Sequence, residues 1–386
     1  MKEENNTDNQ FFAKMVILNY LLLPLYMILQ LKIEIKAHFI IPILYIIMLI
    51  KNKKKIKNNN IILYVFLFFI IQIPYSIFQY YNYLYNWLGL MYLLFFCSLP
   101  WIIVGCSLTN LEEILIQFKK KNIYIIISNI VLILFCKYTG RTMLGNMEIS
   151  YTILPLVLFS LLIFFNEKKY KFLIASFLGT MVILIVGSRG PILCIALFIL
   201  LYGMFNFKKK IIYIVLIGII LLFTFFYYKS ILNTTINIFE HYGISSRTLY
   251  KLQNGDILND TGRKKIQKVV MEELNKHPIV GLSLGGERII VNNNIYHMNK
   301  NMSSCYPHNI IIEILAQYGY FTGIIIIIFF NYIIIKVLMI TKGNERNIIL
   351  LLISQELVKL FISSSYMLSP MFFLLLGVCL NKLRRK

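Results

Sequence analysis

Acidic residues are scarce in this chain. Asp and Glu number 17 against 39 Lys and Arg, a formal net charge of +22 over 386 residues. Charged residues of both signs make up only 15% of the sequence, too little polar surface for a soluble domain of this length. Paired cysteines are missing as well. Cys97, Cys106, Cys136, Cys194 and Cys379 lie in or beside apolar runs and Cys305 is alone in the longest polar segment, so no disulfide framework follows. No CxxC and no His/Cys cluster has metal-ligand spacing, and neither a metal nor another cofactor is expected. Residues 1–10 lack the basic region and cleavage site of a signal peptide, so the first apolar span is expected to stay in the mature protein. No internal repeat is visible.

What is abundant is apolar sequence. Hydrophobic residues make up 58% and aromatics 15%, and the mean hydropathy is +0.71. Runs of about 18 or more apolar residues recur, which marks transmembrane helices. The expected fold is an all-α integral membrane protein with about 12 transmembrane helices and one long extracytoplasmic loop containing an amphipathic helix. The spans fall at 12–31, 35–50, 61–80, 84–105, 122–138, 150–166, 171–187, 190–207, 211–228, 309–335, 348–366 and 368–381. The second and last are short enough to be re-entrant. Basic residues gather in the connections 51–57, 119–121, 167–169, 208–210, 342–346 and 382–386. By the positive-inside rule these face the cytoplasm and place both termini there. Topology, not a nucleic-acid partner, then accounts for the charge. Three parts follow: an N-terminal transmembrane bundle at 1–228, a large extracytoplasmic loop at 229–308 and a C-terminal bundle at 309–386.

The long loop holds one clear helix. After Asp260 or Thr261 as N-cap, Ile266, Val269, Val270, Met271 and Leu274 share a face, and His277-Pro278 ends the run. Gly281, Gly285 and Gly286 then read as loop. Such a helix is expected to lie along the outer membrane surface, apolar side down. The aromatic cluster at 75–85 reads as an interface belt.

Three helix starts carry candidate chemistry. Arg263 opens the amphipathic helix beside Gly262, followed by Lys264 and Lys265. These cations oppose the positive end of the helix dipole, and a bound anion such as phosphate would relieve that. The plainer reading is a solvated charge run. Arg189 lies in the Ser188-Arg189-Gly190-Pro191 turn between two apolar spans, where it either snorkels to the interface or serves a site. His308 follows Pro307 at the outer start of the next span. A neutral histidine there can act as general base; a structural hydrogen-bonding role is the alternative. Asn309, Glu313 and Gln317 are spaced by four on one face behind it. Glu313 falls about one turn inside the membrane, able to pair with Arg189 or Arg263. Glu356 and Lys359 are expected to neutralise each other at mid-span. Arg141 and Glu148 lie in an outer loop with nothing local to give them a role.

Taken together, several motifs resemble the O-antigen polymerase and O-antigen ligase family in their order and spacing. They are Gly187-Ser188-Arg189-Gly190, Thr261-Gly262-Arg263, His277-Pro278-Ile279-Val280-Gly281 with Gly285, Tyr306-Pro307-His308-Asn309, Glu313 and Gly319. The motifs cover residues 175–330, and nearly the whole chain is similar in topology. Thr261 stands where serine is usual, and no glycine sits midway between Gly281 and Gly285; neither departure removes a charge. The resemblance implies a metal-independent, inverting glycosyltransferase that works at the outer face of the cytoplasmic membrane. Its donor would be a glycan on undecaprenyl pyrophosphate and its acceptor another lipid-linked sugar. Carried over, Arg189 and Arg263 would hold the pyrophosphate and His308 would activate the acceptor hydroxyl. Lys264 and Lys265 join the pyrophosphate-binding set, and Asn309, Glu313 and Gln317 are supporting candidates.

The expected function is polymerisation of lipid-linked oligosaccharide repeat units into a capsular, O-antigen or exopolysaccharide chain. A ligase moving glycan to a final acceptor uses the same site. A flippase or transporter of the same lipid, or an accessory protein without an active site, are readings of other classes. Expected partners are the undecaprenyl-pyrophosphate-linked oligosaccharides, membrane lipids, and a flippase and chain-length regulator of the same pathway.

Overall fold

The computed structural model describes residues 2–33, 40–53, 56, 60–138, 147–186, 188–206, 233, 236–237, 262–298 and 301–385. The expected span at 211–228, Arg141, Gly187, and the candidate caps Asp260 and Thr261 lie outside the described residues. Every regular element among the described residues is helical. In chain order they are α1 (Lys2–Ile33), α2 (Ile40–Lys51), α3 (Asn60–Gln79), α4 (Leu84–Tyr92), α5 (Trp101–Ser107), α6 (Glu112–Tyr138) and α7 (Met147–Glu167). There follow α8 (Tyr170–Val186), α9 (Arg189–Asn206), α10 (Arg263–Lys276), α11 (Gly286–Tyr296), α12 (Ile310–Ile340), α13 (Gly343–Ile362) and α14 (Pro370–Arg384).

Six stretches are long and apolar enough to cross a membrane: Thr7–Ile28, Asn60–Gln79, Tyr81–Ser107, Met147–Glu167, Arg189–Asn206 and Ile310–Ile340. Helices α2, α6, α8, α13 and α14 occupy other expected span positions without meeting that measure. Among the described residues, six of the expected spans are thus supported by length and apolarity. Helix α7 is central. It is apolar all round and buried along most of its length, with α1, α6, α8, α9 and α13 packed against it. On the other side of the bundle α5 and α14 meet at Gly105 and Gly377, where the missing side chains let the two backbones touch.

The two ends of the bundle differ in chemistry. At one end Asn9 of α1 donates to the Asn110 carbonyl at 2.7 Å, and Asn381 donates to Leu108 at 2.7 Å. Lys382 reaches Glu345 and the Thr109 carbonyl there, and Lys119 pairs with Glu167. Asn206, at the end of α9, donates to Asn347 near the start of α13 at 2.8 Å. The basic connections at 119–121, 167–169, 342–346 and 382–385 therefore share one end with the start of α1. Arg189, at the other end of α9, belongs to the opposite face.

Two elements at that opposite face depart from the sequence reading. The apolar face of α10 does not lie on lipid. Ile266 and Val270 are buried against Leu282, Val291, Cys305 and Ala316, and Leu274 is buried as well, so α11 and the start of α12 cover it. A stripe of aliphatic side chains is as well satisfied by protein as by acyl chains, and α11 was not foreseen as a helix able to supply the cover. The 75–85 cluster likewise does more than line an interface. Tyr80 donates to the Leu282 carbonyl and Trp87 to that of Leu284, both at 2.9 Å, while Tyr81 and Tyr85 stay exposed.

Helix α12 is broken. Gly319 has φ 75° and ψ 172°, which no α-helix contains. A Cβ added at Gly323 would lie 3.0 Å from the Cα of Leu315, whereas eight residues of continuous helix separate such atoms by about 12 Å. The segment 310–318 therefore folds back against the segment 320–340. The second segment spans about 31 Å, enough for a bilayer core of about 30 Å. Its Phe321, Ile328, Tyr332 and Met339 are exposed, as lipid contact requires. The expected single span at 309–335 is corrected accordingly.

Candidate active site

The backbone groups freed by the break in α12 are taken up by the loop after α10. Leu282 N donates to the Ala316 carbonyl at 2.6 Å, and Tyr320 N donates to that of Pro278 at 2.8 Å. The segment His277–Gly281 thus clamps the bend at Gly319, and segment 310–318 carries the functional candidates below it.

The three helix starts singled out from the sequence converge. Gly190, next to Arg189, packs so closely on the Tyr151 hydroxyl that a Cβ would overlap it. That hydroxyl lies 2.6 Å from Ser363 Oγ at the end of α13. Tyr306, two residues before His308, donates to the Ser363 carbonyl at 2.8 Å. Gln267, one turn into α10, donates to the Pro307 carbonyl at 3.1 Å. Ser363 and Pro307 therefore link the starts of α9, α10 and α12. Arg263 is near enough to act electrostatically on both Tyr151 and Tyr306. Burial pushes the Tyr306 phenol up to about 12, with Arg288 and Arg263 opposing and Glu313 and Glu148 adding to the rise.

Individual side chains fall as follows. Arg189 and Arg263 are half-buried first residues of their helices, and Gly262 takes the cap position with φ 83°. Lys264 and Lys265 are exposed. His308 is half-buried with φ 55°, its ring centroid 4.3 Å from that of Tyr306. Asn309 caps α12, its Oδ1 accepting from Ile311 N at 2.9 Å and Ile312 N at 3.4 Å. Its side chain is committed to the backbone instead of sharing a task with Glu313 and Gln317.

Glu313 and Gln317 belong to a buried cluster that the sequence reading missed. Arg288 of α11 is wholly buried. Its Nη1 donates to the Met302 and Ser303 carbonyls at 3.1 and 3.0 Å. Its Nη2 donates to Glu313 Oε1 at 3.2 Å and Ser365 Oγ at 2.5 Å. Its Nε lies 3.4 Å from Glu287 Oε1 as an ion pair without a hydrogen bond, and that oxygen accepts from Gln317 Nε2 at 2.9 Å. Ser365 donates on to Glu313, and Tyr366 to Gln317. The expected pairing of Glu313 with Arg189 or Arg263 is thus replaced by a pairing with Arg288. One cation lies between two carboxyls, so the cluster is neutral when one of them holds a proton. Glu287 suits that part: burial pushes its carboxyl up to about 8, helped by Glu313 and opposed by Arg288 and Gln317. Its Oε2 is buried with no hydrogen bond among the described residues.

Residues 174–327 match a family model described as O-Antigen ligase. Over these residues the chain is similar to the O-antigen ligase family. No curated protein and no solved structure matches the chain. The matching segment contains Arg189, Arg263, Glu287, Arg288, His308, Glu313 and Gln317, whereas Tyr151, Ser363 and Ser365 lie outside it.

Glu287 and Arg288 did leave a trace in the sequence: an adjacent acid and base after a glycine pair and directly before Ile289-Ile290-Val291. Opposite charges set in an apolar run point to a buried pair. One other expected pair is corrected. Glu356 accepts from Ser369, and Lys359 turns to Tyr151, its Nζ 5.5 Å from the ring centroid. Separate partners serve each charge, so they do not meet as an ion pair within 4.0 Å.

Proposed function

We propose that this protein is a membrane polymerase that joins undecaprenyl-pyrophosphate-linked oligosaccharide repeat units at the outer face of the cytoplasmic membrane. The observation that carries this reading is the convergence of Arg189, Arg263 and His308 through Tyr151, Ser363, Tyr306 and Gln267. In the reaction the acceptor hydroxyl oxygen bonds to the anomeric carbon as the carbon–oxygen bond to pyrophosphate breaks, with inversion. His308 takes the hydroxyl proton, and pyrophosphate leaves with the bonding electrons, met by the charges of Arg189 and Arg263. Pyrophosphate is a good leaving group, so a base and fixed positive charge answer the demands of the step. An apolar groove lined by Ile310, Ile311, Ile314, Ile327, Phe330 and Phe372 begins two residues after His308. It supports a substrate whose head group reacts at the helix start while its tail stays in an apolar setting.

The second reading is a ligase, favoured by the description of the matching family. A transporter is less well supported, because two of the backbone groups at the break in α12, the Ala316 carbonyl and the Tyr320 amide, are bonded to Leu282 and Pro278 and so are turned to protein. The deciding experiment is the size distribution of lipid-linked glycan in host cells with wild type, a deletion or His308→Ala. Single repeats exposed outside with no ladder in the mutants mean polymerase. Long lipid-linked chains that never reach a final acceptor mean ligase. Repeats held on the inner leaflet mean neither.

A further inference from the structure

His308 holds a conformation that its surroundings must enforce. Its φ of 55° lies in the left-handed region, uncommon outside glycine even though histidine enters it more often than most, and costly without support. Asn309 and Gln267 secure the backbone on either side, but the ring itself rests on Tyr306, with centroids 4.3 Å apart. The hydroxyl of Tyr306 is held by the Ser363 carbonyl at 2.8 Å, and its ring face is met by Arg288, whose guanidinium carbon lies 5.2 Å from the ring centroid.

Arg288 is built to be immobile. It is wholly buried, and its hydrogen bonds run to two carbonyls, a hydroxyl and a carboxylate, with a second carboxylate 3.4 Å from Nε. Its Nη donors are taken up and its Nε, which makes no hydrogen bond among the described residues, is sealed inside beside Glu287, so it cannot reach a pyrophosphate, which separates it from Arg189 and Arg263. Only a planar guanidinium can fork between carbonyls, meet carboxylates at its edge and present a face to an aromatic ring.

We propose that Arg288 is a positioning residue for His308, acting through the Tyr306 ring. The proposal rests on the assignment of His308 as general base. Arg288 fixes Tyr306 against α11 and the 302–303 backbone, and Tyr306 sets the orientation of the imidazole toward the acceptor hydroxyl. Positions 287 and 288 thereby tie α11 to catalysis although neither side chain reaches substrate.

The test uses full-length protein in detergent or bilayers, with a lipid-linked repeat unit as substrate and rates followed against pH. Arg288→Lys keeps the charge between Glu287 and Glu313 but loses the fork and the flat face. Its kcat should fall by about 10- to 100-fold, as a misplacement near 1 Å would cause, with the donor KM little changed. Arg263→Ala should instead raise the donor KM as well as lower kcat. Where Arg288→Lys folds poorly, Tyr306→Leu tests the same link with the buried cluster intact, and Tyr306→Phe, which keeps the ring and loses only the hydrogen bond to Ser363, should recover much of the rate lost in Tyr306→Leu. The limb of the pH profile set by His308 should flatten in Arg288→Lys and Tyr306→Leu, as it does in His308→Ala. A purely structural defect would scale the whole profile and leave its shape alone. Wild-type kcat in Tyr306→Leu, or an unaltered limb in both variants, overturns the proposal while leaving the base assignment standing. A His308→Ala enzyme with an intact limb removes the base assignment, and the proposal with it.

Discussion

Gly281 and Gly319 meet backbone to backbone: a Cβ on Gly281 would overlap the Gly319 amide nitrogen and stand 2.8 Å from the Ala316 carbonyl oxygen. Both have left-handed φ, at 77° and 75°. Gly281→Ala should therefore lose about 1–2 kcal/mol from backbone strain alone, with the overlap added. Gly343 supplies the control. Its φ is 57° but nothing lies within 4 Å of an added Cβ, so Gly343→Ala should show only the strain. Thermal unfolding in detergent decides between them, and equal losses would mean the clamp at the α12 bend is unimportant.

Asn309 is a helix cap. Removing the side chain in Asn309→Ala should lower stability by about 1 kcal/mol, while Asn309→Asp should stay close to wild type. A matched pair of unfolding midpoints checks this; a stable Asn309→Ala with no activity would instead give Asn309 a direct part in the reaction.

The basic triplet that opens α10 should divide. Lys264 and Lys265 are exposed and Arg263 is half-buried beside Tyr306 and Tyr151. Exposed charges are screened and worth at most about 1 kcal/mol, so Lys264→Ala and Lys265→Ala should change turnover only modestly. Arg263→Ala should abolish most of it. Comparable effects at all three positions would spread the anion site over the helix surface.

Glu287 makes stability depend on pH. Folding moves its carboxyl from an ordinary 4.5 up to about 8. Between those values the folded protein keeps a proton that the unfolded chain releases, so its contribution is full below 4.5 and is lost as pH rises toward 8. The unfolding midpoint should fall across that window in wild type. Glu287→Gln, which stays neutral, should lack this slope; the same slope in both proteins would assign it to another group.

Much of this was legible in local sequence. The amphipathic run from Ile266 to Leu274 announced α10, the Pro307-His308-Asn309 start announced α12, and the basic connections marked the end of the bundle opposite the site. Each of these signals sits within a few residues. The fate of the α10 face was not legible, because lipid and protein satisfy an apolar stripe alike. Helix α11 was hidden by its glycine start and its Asn292-Asn293-Asn294 run, both poor in helix propensity. Its stability comes from burial of Ile289 and Val291 and from the Arg288 contacts.

The sequence by itself determined a helical membrane protein with a polar, chemically equipped face. Apolar runs in lipid must satisfy their own backbone, and helices do so locally. Only the tertiary structure decided which charges meet and where a helix breaks. Glu313 faces Arg288, 25 positions away, instead of Arg189 or Arg263, and Tyr151 reaches Ser363 across 212 positions. Such choices depend on which elements pack together, since a buried charge takes the partner that the fold brings within reach.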